Sequence, residues 1–572
     1  MMAAGFFLTV SAQGPAPQTT SAVPAQADDE TVAHVLSRLG YGARPGDVAK
    51  VKAMGLAAYI EQQLHPDGVA DAIVEERLAA FPTVSMTTAQ LWRDHFGPAD
   101  EARQAAQRAA GQNGQPPPPP TRPAAQQAQG QQGGDMQMMA PPQTGQPQRT
   151  PEQQAAQQKA QQVMNDLAQA RLLRATLSER QLEEVLVDFW FNHFNVFSGK
   201  GEVRTYVTEY ERDVIRPHVL GSFRDMLGAV AQSPAMLFYL DNFQNVDPKA
   251  AQRQADQLAQ VQQRAGARGR GLARTDQQRE QQEQRMQQIR NRGLNENYAR
   301  ELMELHTLGV DGGYTQADVV SVARAFTGWT IDRPRQGGSF LFNAQMHDND
   351  PKVVLGKTIS AGGKQDGEAV LDLLATHPAT ATFIATKLAR RFVSDEPPKT
   401  LVDRVAKVFL ATKGDLRAVT RAIVTSPEFF AKEARHAKVK TPLEFVVSSI
   451  RASGTMVVNV APLVQALRGL GQPLYGAQPP TGYGDTAEDW ISTGALLNRM
   501  NFAVQLASNQ LRGLRLNVRA LASDTGENSR AAVVTRLIGT DISAMTRDTL
   551  AKAESPQHLV ALTLGSPEFQ KR

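Results

Sequence analysis

The chain contains no cysteine, and this absence removes several kinds of chemistry at once. Disulfide bonds, thiolate metal ligands and a cysteine nucleophile are all excluded. Aromatic residues make up only 6% of the 572 residues, whereas Ala, Gln and Leu are abundant, which favours helix. Hydrophobic residues reach 41%, enough for a sizeable core in a chain longer than one ordinary domain.

A strong excess of charge is also lacking. Lys and Arg number 61 against 57 Asp and Glu, and a net charge of +4 is small for this length. The balance therefore predicts no nucleic-acid partner. Long hydrophobic runs are missing too: beyond the N-terminus, no run approaches the ~20 apolar residues that a membrane helix needs. We therefore predict no transmembrane segment.

The N-terminus lacks basic residues, since no Lys or Arg precedes Arg38. Ala3 to Val10 nevertheless forms a short apolar stretch, and Val10-Ser11-Ala12 has the small residues of a secretory cleavage site. The cut would fall before Gln13. Residues 1–12 are either a signal-like segment whose basic start lies upstream of Met1 or merely an apolar tail. We favour the first interpretation, and predict that the protein is exported, to the periplasm or outside the cell.

Two segments have low complexity. Residues 99–162 contain five consecutive prolines and long Gln, Ala and Gly tracts, a composition that predicts a disordered insert. Residues 249–293 carry ten Lys and Arg against four Asp and Glu. This second insert is either a charged helical hairpin or a disordered loop, and it is a candidate for contact with an anionic envelope surface.

The rest of the chain has helical periodicity. We predict a mainly α fold, an irregular array of many helices with little strand. Its parts are a flexible leader at 13–27, an N-terminal helical region at 28–98, a helical core in two parts at 163–248 and 294–440, and a C-terminal helical region at 441–572.

The most informative stretch runs from Asn295 to Thr330. Asn295 is a good N-cap and Gly309 a good helix end, and Thr315 with Asp318 resembles a capping box that starts a second helix. At 100° per residue, the first helix has an apolar stripe and a separate polar stripe. The polar stripe consists of Asn297, Glu301 and Glu304.

The helix predicted between Gln181 and Phe197 also has an apolar face and a polar face. Asp188, Asn192 and Asn195 share one face at i, i+4 and i+7, and His193 falls within the opposite, apolar face. A buried histidine with a hydrogen-bond partner is the favoured interpretation of His193, and a ligand role is the alternative.

These stretches resemble a bacterial family called domain of unknown function 1800. The resemblance covers about two thirds of the chain and rests on NENYARELMELHTLGVDGGYT at 295–315, FWFNHFNV at 189–196, HDNDPKVVLG at 347–356, HPATATFIATKLARRFV at 377–393 and KTPLEFVVSSIRA at 440–452. It implies an exported protein. It also implies a partner from an exported sulfatase-like family, domain of unknown function 1501.

No high-specificity catalytic motif is present: the chain has no G-x-S-x-G, P-loop or H-E-x-x-H. The candidates that remain are a metal set and a loop pair. The proposed ligands of one divalent metal ion are Asp188, His193, Asn297, Glu301 and Glu304, and the proposed acid/base pair is His347 with Asp348. The last prediction is that the polar stripe faces inward, toward Asp188, Asn192 and the loop of His347 and Asp348.

Two function classes stay open. One is an exported binding or assembly protein that acts with the sulfatase-like partner. The other is a metal-assisted hydrolase of envelope material or polysaccharide. For the acidic stripe itself, ion pairing and helix packing are favoured over metal ligation.

Overall fold

The structure is a computed structural model, and it describes residues 21–112, 150–267 and 293–572. Helix accounts for 62% of the described residues and strand for 4%. The predicted mainly α fold with little strand is therefore confirmed. The signal-like segment 1–12, most of the leader, and residues 113–149 and 268–292 of the inserts lie outside the described residues.

The N-terminal region and the first part of the core are built from short and medium helices. The α-helices are Asp29–Arg38, Asp47–Met54, Leu56–Leu64, Ala72–Leu78, Thr88–Leu91, Gly97–Gln112, Pro151–Leu177, Gln181–His193, Val203–Glu209, Phe223–Gln232, Pro234–Tyr239 and Pro248–Ala267. The tighter 3-10 turns are Pro66–Gly68, Pro82–Val84, Arg216–His218 and Asn242–Gln244, and the wider π-helical segments are Trp92–Phe96 and Tyr210–Ile215.

The second half of the chain continues in the same style. Its α-helices are Asn297–Glu301, Gln316–Ala325, Gln365–Ala375, Pro378–Phe392, Lys399–Ala411, Leu416–Val424, Pro427–Phe430, Pro442–Ser453, Ala461–Gly469, Ala487–Trp490, Thr493–Ala507, Val518–Leu521, Glu527–Ile538, Ala544–Ala551 and Pro556–Gly565. Leu302–Thr307 is a π-helix, and Lys432–Ala434 is a 3-10 turn.

The strands form antiparallel pairs. Trp329–Ile331 pairs with Phe340–Phe342, shortly before His347. Lys352–Val354 pairs with Lys357–Ile359, and Met456–Val457 pairs with Leu514–Arg515.

One continuous hydrophobic core joins all four predicted helical regions. It contains Val35 near the N-terminus, Trp190 and Phe326 in the two core parts, and Leu388 and Leu559 further along, each with no more than 1% of its surface exposed. The regions are therefore parts of one packed body. No helix among the described residues is both long and apolar enough to cross a membrane.

Both ends of the first insert, predicted at 99–162, contain helix. Residues 99–112 and 151–162 are helical where disorder was expected. Thr150 and Gln153 form a capping box with proline at the start of the helix, and Val163 packs against Leu91 and Phe96. Local capping and this small apolar cluster stabilise a helix in a stretch whose Gln-rich composition is typical of disordered segments.

The second insert also begins as helix. Pro248–Ala267 is helical, and Ala250 and Ala251 are buried beside Val246. This favours the helical alternative over a wholly disordered loop for 249–267.

Candidate functional site

A cleft lies beside the Gln181–His193 helix. Its other walls come from the Pro378–Phe392 helix and from the Pro- and Gly-rich loop of residues 472–485. The cavity has a volume of about 210 Å³, which fits a small ligand rather than a single water. Aromatic rings of Phe189, Phe191, Tyr475 and Tyr483 line it. We call this space the cationic cleft, because more basic than acidic side chains line it.

The loop over the cleft is held by two asparagines of the FWFNHFNV segment. The Tyr483 main-chain N–H donates to Asn192 Oδ1 at 2.7 Å, and Asn192 Nδ2 donates to the Tyr483 carbonyl at 2.8 Å. Asn195 Nδ2 donates to the carbonyls of Ala477 at 3.0 Å and Pro479 at 2.9 Å. The two side chains thus satisfy backbone groups of a loop that has no regular structure of its own.

Four cations and two acids line the cleft. The cations are Arg171, Lys387, Arg390 and Arg391, and the acids are Asp188 and Asp485. Counted by these side chains alone, the lining carries a net charge of +2.

Arg171 is fully committed to internal partners. It donates to Asp188 at 2.6 Å and to Glu211 at 3.1 Å, and its guanidinium lies 5.3 Å from the Phe191 ring and 5.4 Å from the Tyr475 ring. The predicted metal ligand Asp188 is therefore held in a salt bridge, in the wall of the cleft.

Fewer polar contacts with described residues are made by Lys387, Arg390 and Arg391 than by Arg171. Arg391 pairs with Glu444, but its buried Nε and Nη2 have no hydrogen-bond partner in the described part of the chain. Arg390 Nε donates to the Asp395 carbonyl at 3.0 Å. Lys387 makes neither a hydrogen bond nor an ion pair with any described residue, and its ammonium lies 5.5 Å from the Phe383 ring. Burial lowers the pKa of Lys387 to about 8, although Asp485 opposes the change.

His193 lies at the cleft as a neutral side chain. Its Nε2 is 3.1 Å from the His306 carbonyl, and its buried Nδ1 has no partner among the described residues. Burial, with Lys387 nearby, holds the pKa of His193 well below its ordinary value. The favoured interpretation, a buried histidine with a hydrogen-bond partner, agrees with this geometry.

The polar stripe of Asn297, Glu301 and Glu304 lies outside the lining of the cleft. Asn297 Nδ2 donates to the Leu240 carbonyl at 3.2 Å, and Glu304 accepts from the Tyr314 hydroxyl at 3.3 Å. Burial and the neighbouring Glu304 raise the pKa of Glu301. None of these three side chains lines the cleft, and none has a described hydrogen bond or ion pair with Asp188 or the His347 loop. The inward orientation of the stripe toward those residues has no described contact in its support and stays a prediction.

The helix that carries the stripe is not uniform. The helix begins at Asn297 because Asn295 Oδ1 accepts the Asn297 N–H at 3.0 Å, and it widens into a π-helix at Leu302–Thr307. The wider turn changes the angle per residue, so a wheel drawn at 100° misplaces Glu304 and the residues after it. The favoured alternative of ion pairing is found in part, with Arg300 and Glu296 3.2 Å apart.

His347 and Asp348 belong to a buried loop network. His347 Nε2 is 3.1 Å from Asp366 Oδ2, and Lys352 Nζ donates to the same carboxylate at 2.5 Å. Asp348 forms a bidentate pair with Arg324, at 2.7 and 3.2 Å. Neither residue lines the cleft. Their acid/base role stays a prediction, and their contacts are those of a loop anchor.

Comparison with known families identifies the chain at this point. The family model described as a protein of unknown function (DUF1800) matches residues 34–571, nearly the whole length. The chain belongs to this family. Neither a curated protein nor a solved structure matches this DUF1800 chain.

The predicted metal ligands of this DUF1800 protein do not form one metal site among the described residues. Across residues 21–112, 150–267 and 293–572, no three His, Asp or Glu side chains are grouped so that they could hold a metal ion. Metal roles for Asp188, His193, Asn297, Glu301 and Glu304 stay predictions without a common centre.

The basic side chains of the cleft were not among the site residues predicted from the sequence. Lys387, Arg390 and Arg391 stand in HPATATFIATKLARRFV, a segment that marks the family, and their i, i+3, i+4 spacing puts them on one helix face. That spacing was the available signal. The Gln472–Asp485 loop gave a second one, because a Pro- and Gly-rich segment before a tryptophan helix often borders a site.

Proposed function

We propose that this protein is a binding protein whose cationic cleft holds an anionic ligand built on a ring, such as an acidic saccharide. The observation that carries the proposal is the Lys387 ammonium, which faces the cavity without a partner among the described residues, on the same helix face as Arg390 and Arg391. Because the lining carries a net charge of +2, Asp188 and Asp485 do not balance all of its cations, and a bound anion would lower the cost of their partial burial.

The other walls suit a ring with polar edges. Phe189 and Tyr483 offer aromatic faces, and Gln472 and Thr441 offer amide and hydroxyl groups at the same cavity. Ligand sites commonly combine such apolar walls with a few placed polar groups. A carboxylate or sulfate on the ring would accept charge-assisted hydrogen bonds from the lysine and arginines.

Export and the partner remain part of the proposal. The apolar stretch before Gln13 supports an exported location, and the family resemblance supports a sulfatase-like partner. A cleft for an acidic saccharide is consistent with that partner, because sulfate esters and carboxylates are bound by the same cations. Cell fractionation should find the protein in the periplasm or the medium, and a purely cytoplasmic protein would contradict this part.

The binding experiment uses calorimetric titration of the full chain with oligogalacturonate, a sulfated disaccharide and a neutral cello-oligosaccharide. We expect the two acidic probes to bind and the neutral one to bind far more weakly. The affinity should fall as salt rises, since screening weakens exposed charge pairs.

Variants locate the binding. Lys387→Met and Arg390→Met should each weaken oligogalacturonate binding about tenfold or more, because a hydrogen bond to a charged group contributes ~1.5–3 kcal/mol. Lys407→Met and Arg519→Met change exposed side chains away from the cleft and should bind like the parent protein. Equal affinity for acidic and neutral probes would overturn the proposal. Breakdown of the probes upon metal addition would favour the hydrolase alternative.

A further inference from the structure

Three buried arginines lie next to the cationic cleft, on the side of Arg391. Arg38, Arg391 and Arg572 come from segments far apart in the chain, and each has no more than 4% of its surface exposed. Arg391 lines the cleft, whereas Arg38 and Arg572 do not. We call the three side chains, together with Glu444, the guanidinium cluster.

Two of these arginines share one carboxylate. Glu444 Oε1 accepts a hydrogen bond from Arg391 Nη1 and lies 3.0 Å from Arg572 Nη2. Glu444 Oε2 accepts the Thr441 main-chain N–H at 2.9 Å. Burial alone would raise the pKa of Glu444, but Arg391 and Arg572 lower it to about 2, so the carboxylate stays charged. Both of its oxygens are therefore occupied.

Arg38 brings a third positive charge without an acid of its own. Its Nη2 donates to the Ala434 carbonyl, a neutral acceptor, and it forms no ion pair with any described residue. Burial and the like charge of Arg572 both lower the pKa of Arg38, as expected where two guanidinium groups lie close together. Arginine nevertheless stays protonated in proteins. The guanidinium cluster thus holds three positive charges and one carboxylate.

Six donor nitrogens of the guanidinium cluster have no hydrogen-bond partner among the described residues. They are Nε and Nη1 of Arg38, Nε and Nη2 of Arg391, and Nε and Nη1 of Arg572. All six are buried, so bulk water does not hydrate them. Leaving donors of a buried charged group unpaired costs more than leaving neutral donors unpaired. The number and the sign of these groups favour a bound anion.

Two further acids near the guanidinium cluster are already paired. Asp395 and Asp485 both form ion pairs with Lys438, whose Nζ lies 2.5 Å from the first and 3.5 Å from the second. Both carboxylates are also partly exposed, with 26% and 30% of their side-chain surface open. Neither carboxylate is therefore a dedicated counter-ion for the guanidinium cluster.

Other buried cations increase the positive excess. Lys440 comes just before the helix of Glu444, and Arg499 Nη2 donates to the Lys440 carbonyl at 2.8 Å. Both are buried. The α-carboxylate of Arg572 adds one negative charge, but positive charges still outnumber negative ones in this part of the structure.

We infer that the guanidinium cluster binds a small inorganic anion of the size of chloride, held by the free donors of Arg38, Arg391 and Arg572. The size follows from the burial, because the free nitrogens have no exposed surface that a saccharide could reach. A guanidinium is weakly hydrated, which lowers the cost of holding an ion without its water. Since Arg391 also lines the cationic cleft, the cleft gives the ion a route from solvent.

The test measures the melting temperature of the full chain as chloride replaces gluconate at constant ionic strength. Charge screening is then the same in every sample, and only the identity of the anion changes. We expect the melting temperature to rise with chloride and then to level off, because the ion binds the folded state. Bromide should act like chloride. Saturable stabilisation by phosphate but not by chloride would contradict the halide assignment.

Variants locate the ion. Arg38→Met should raise the half-saturating chloride concentration about tenfold or more, because it removes donors that carry charge. Arg451→Met is the matched control: Arg451 is 3% exposed, but its Nε and Nη1 donate to the Gly42 and Thr176 carbonyls, each at 2.9 Å. This control should lower stability and leave the half-saturating concentration unchanged.

Crystals of the parent protein grown with bromide give a second measurement that needs no variant to fold. We expect an anomalous scattering peak in contact with Arg391 and Arg572. Water alone at this position, together with equal melting temperatures in chloride and gluconate, would overturn the inference. Lys387→Met should weaken oligogalacturonate binding and leave the chloride response unchanged, so the halide site and the saccharide cleft are tested separately.

Discussion

Asn192 and Tyr483 exchange two hydrogen bonds, at 2.7 and 2.8 Å, although 290 residues separate them in the chain. One side-chain amide thus satisfies both the N–H and the carbonyl of a single loop residue. The pair sets the position of the loop above the cationic cleft, and with it the position of the Tyr483 ring and of Asp485.

Asn192→Ala should destabilise the protein by about 1–3 kcal/mol, because it leaves two partly buried backbone groups without partners. Urea unfolding measures the loss. Asn498→Ala is the matched control: its exposed Nδ2 donates to the Gly469 carbonyl at 3.2 Å, so its removal should cost little. If the two variants were equally stable, the Asn192 contacts would not hold the loop.

Gly482→Ala should also displace this loop. Gly482 has φ +73°, and an added Cβ would lie 2.4 Å from Asn192 Oδ1 and 2.5 Å from the Asn192 carbonyl oxygen. Gly539 also has a positive φ, +83° with ψ −167°, but an added Cβ there meets nothing within 4 Å. Gly539→Ala should therefore cost only the backbone strain of ~1–3 kcal/mol, whereas Gly482→Ala adds a clash. We expect only Gly482→Ala to weaken oligogalacturonate binding.

Local signals in the sequence predicted the elements well. Gly309 ends its helix with φ +82°, and Thr315 and Asp318 form the predicted capping box. These features depend on residues three or four apart, whose contacts a helix fixes. Asn192 lies on the predicted helix, whereas Asn195 follows the end of that helix at His193.

The partners of those faces could not be predicted in the same way. The contact between Asn192 and Tyr483 is decided by packing across the whole chain, and nothing in the local pattern encodes it. Lys387 looks like an ordinary charged residue on an amphipathic helix, and only the tertiary structure shows that no described acid pairs with it. The π-helical turn that begins at Leu302 is a further feature that helical periodicity did not predict, and it shifts Glu304 relative to Asn297 and Glu301.

Glu301→Gln should raise the melting temperature at pH 7. Burial and Glu304 raise the pKa of Glu301, so the folded state disfavours its charge and loses stability as pH rises above the ordinary value of 4.5. Removing the charge relieves that penalty. A metal site predicts the opposite sign, since the variant would lose a ligand. Melting curves with chelator, Ca²⁺ and Mg²⁺ decide between them; a chelator-dependent loss of stability in the parent protein would favour the metal.

The protein should lose stability in mild acid because of His306. This histidine is 1% exposed, both its ring nitrogens lack partners among the described residues, and burial lowers its pKa from 6.5 to about 3. Between these pH values the unfolded chain binds a proton that the folded chain does not. Stability from this group is therefore complete above pH 6.5 and falls as the pH drops, by about 2 kcal/mol at pH 5.

His306→Leu should flatten this pH dependence, because the substituted side chain does not titrate. Urea unfolding at a series of pH values gives the slope for each protein. His65→Gln, at an exposed histidine, should leave the slope unchanged. A parent and His306→Leu protein with the same slope would show that other groups cause the acid sensitivity.

Arg171→Met should be among the most damaging single changes near the cleft. Arg171 pairs with Asp188 and Glu211, and Glu211 is 2% exposed and also accepts from the Tyr475 hydroxyl at 2.7 Å. Burial alone would raise the pKa of Glu211, but Arg171 and Arg216 hold it below its ordinary value. Without Arg171 the buried carboxylate loses its main counter-ion, and breaking such a pair costs ~3–5 kcal/mol.

The double variant Arg171→Met with Glu211→Gln tests the cause. If the cost comes from an uncompensated carboxylate, the second change restores part of the stability that the first removes, and the coupling appears in a double-mutant cycle. The single variant should also recover relative to the parent protein as the pH falls, because protonation of Glu211 removes the unpaired charge. Additive losses that do not depend on pH would instead assign the role of Arg171 to its packing between the Phe191 and Tyr475 rings.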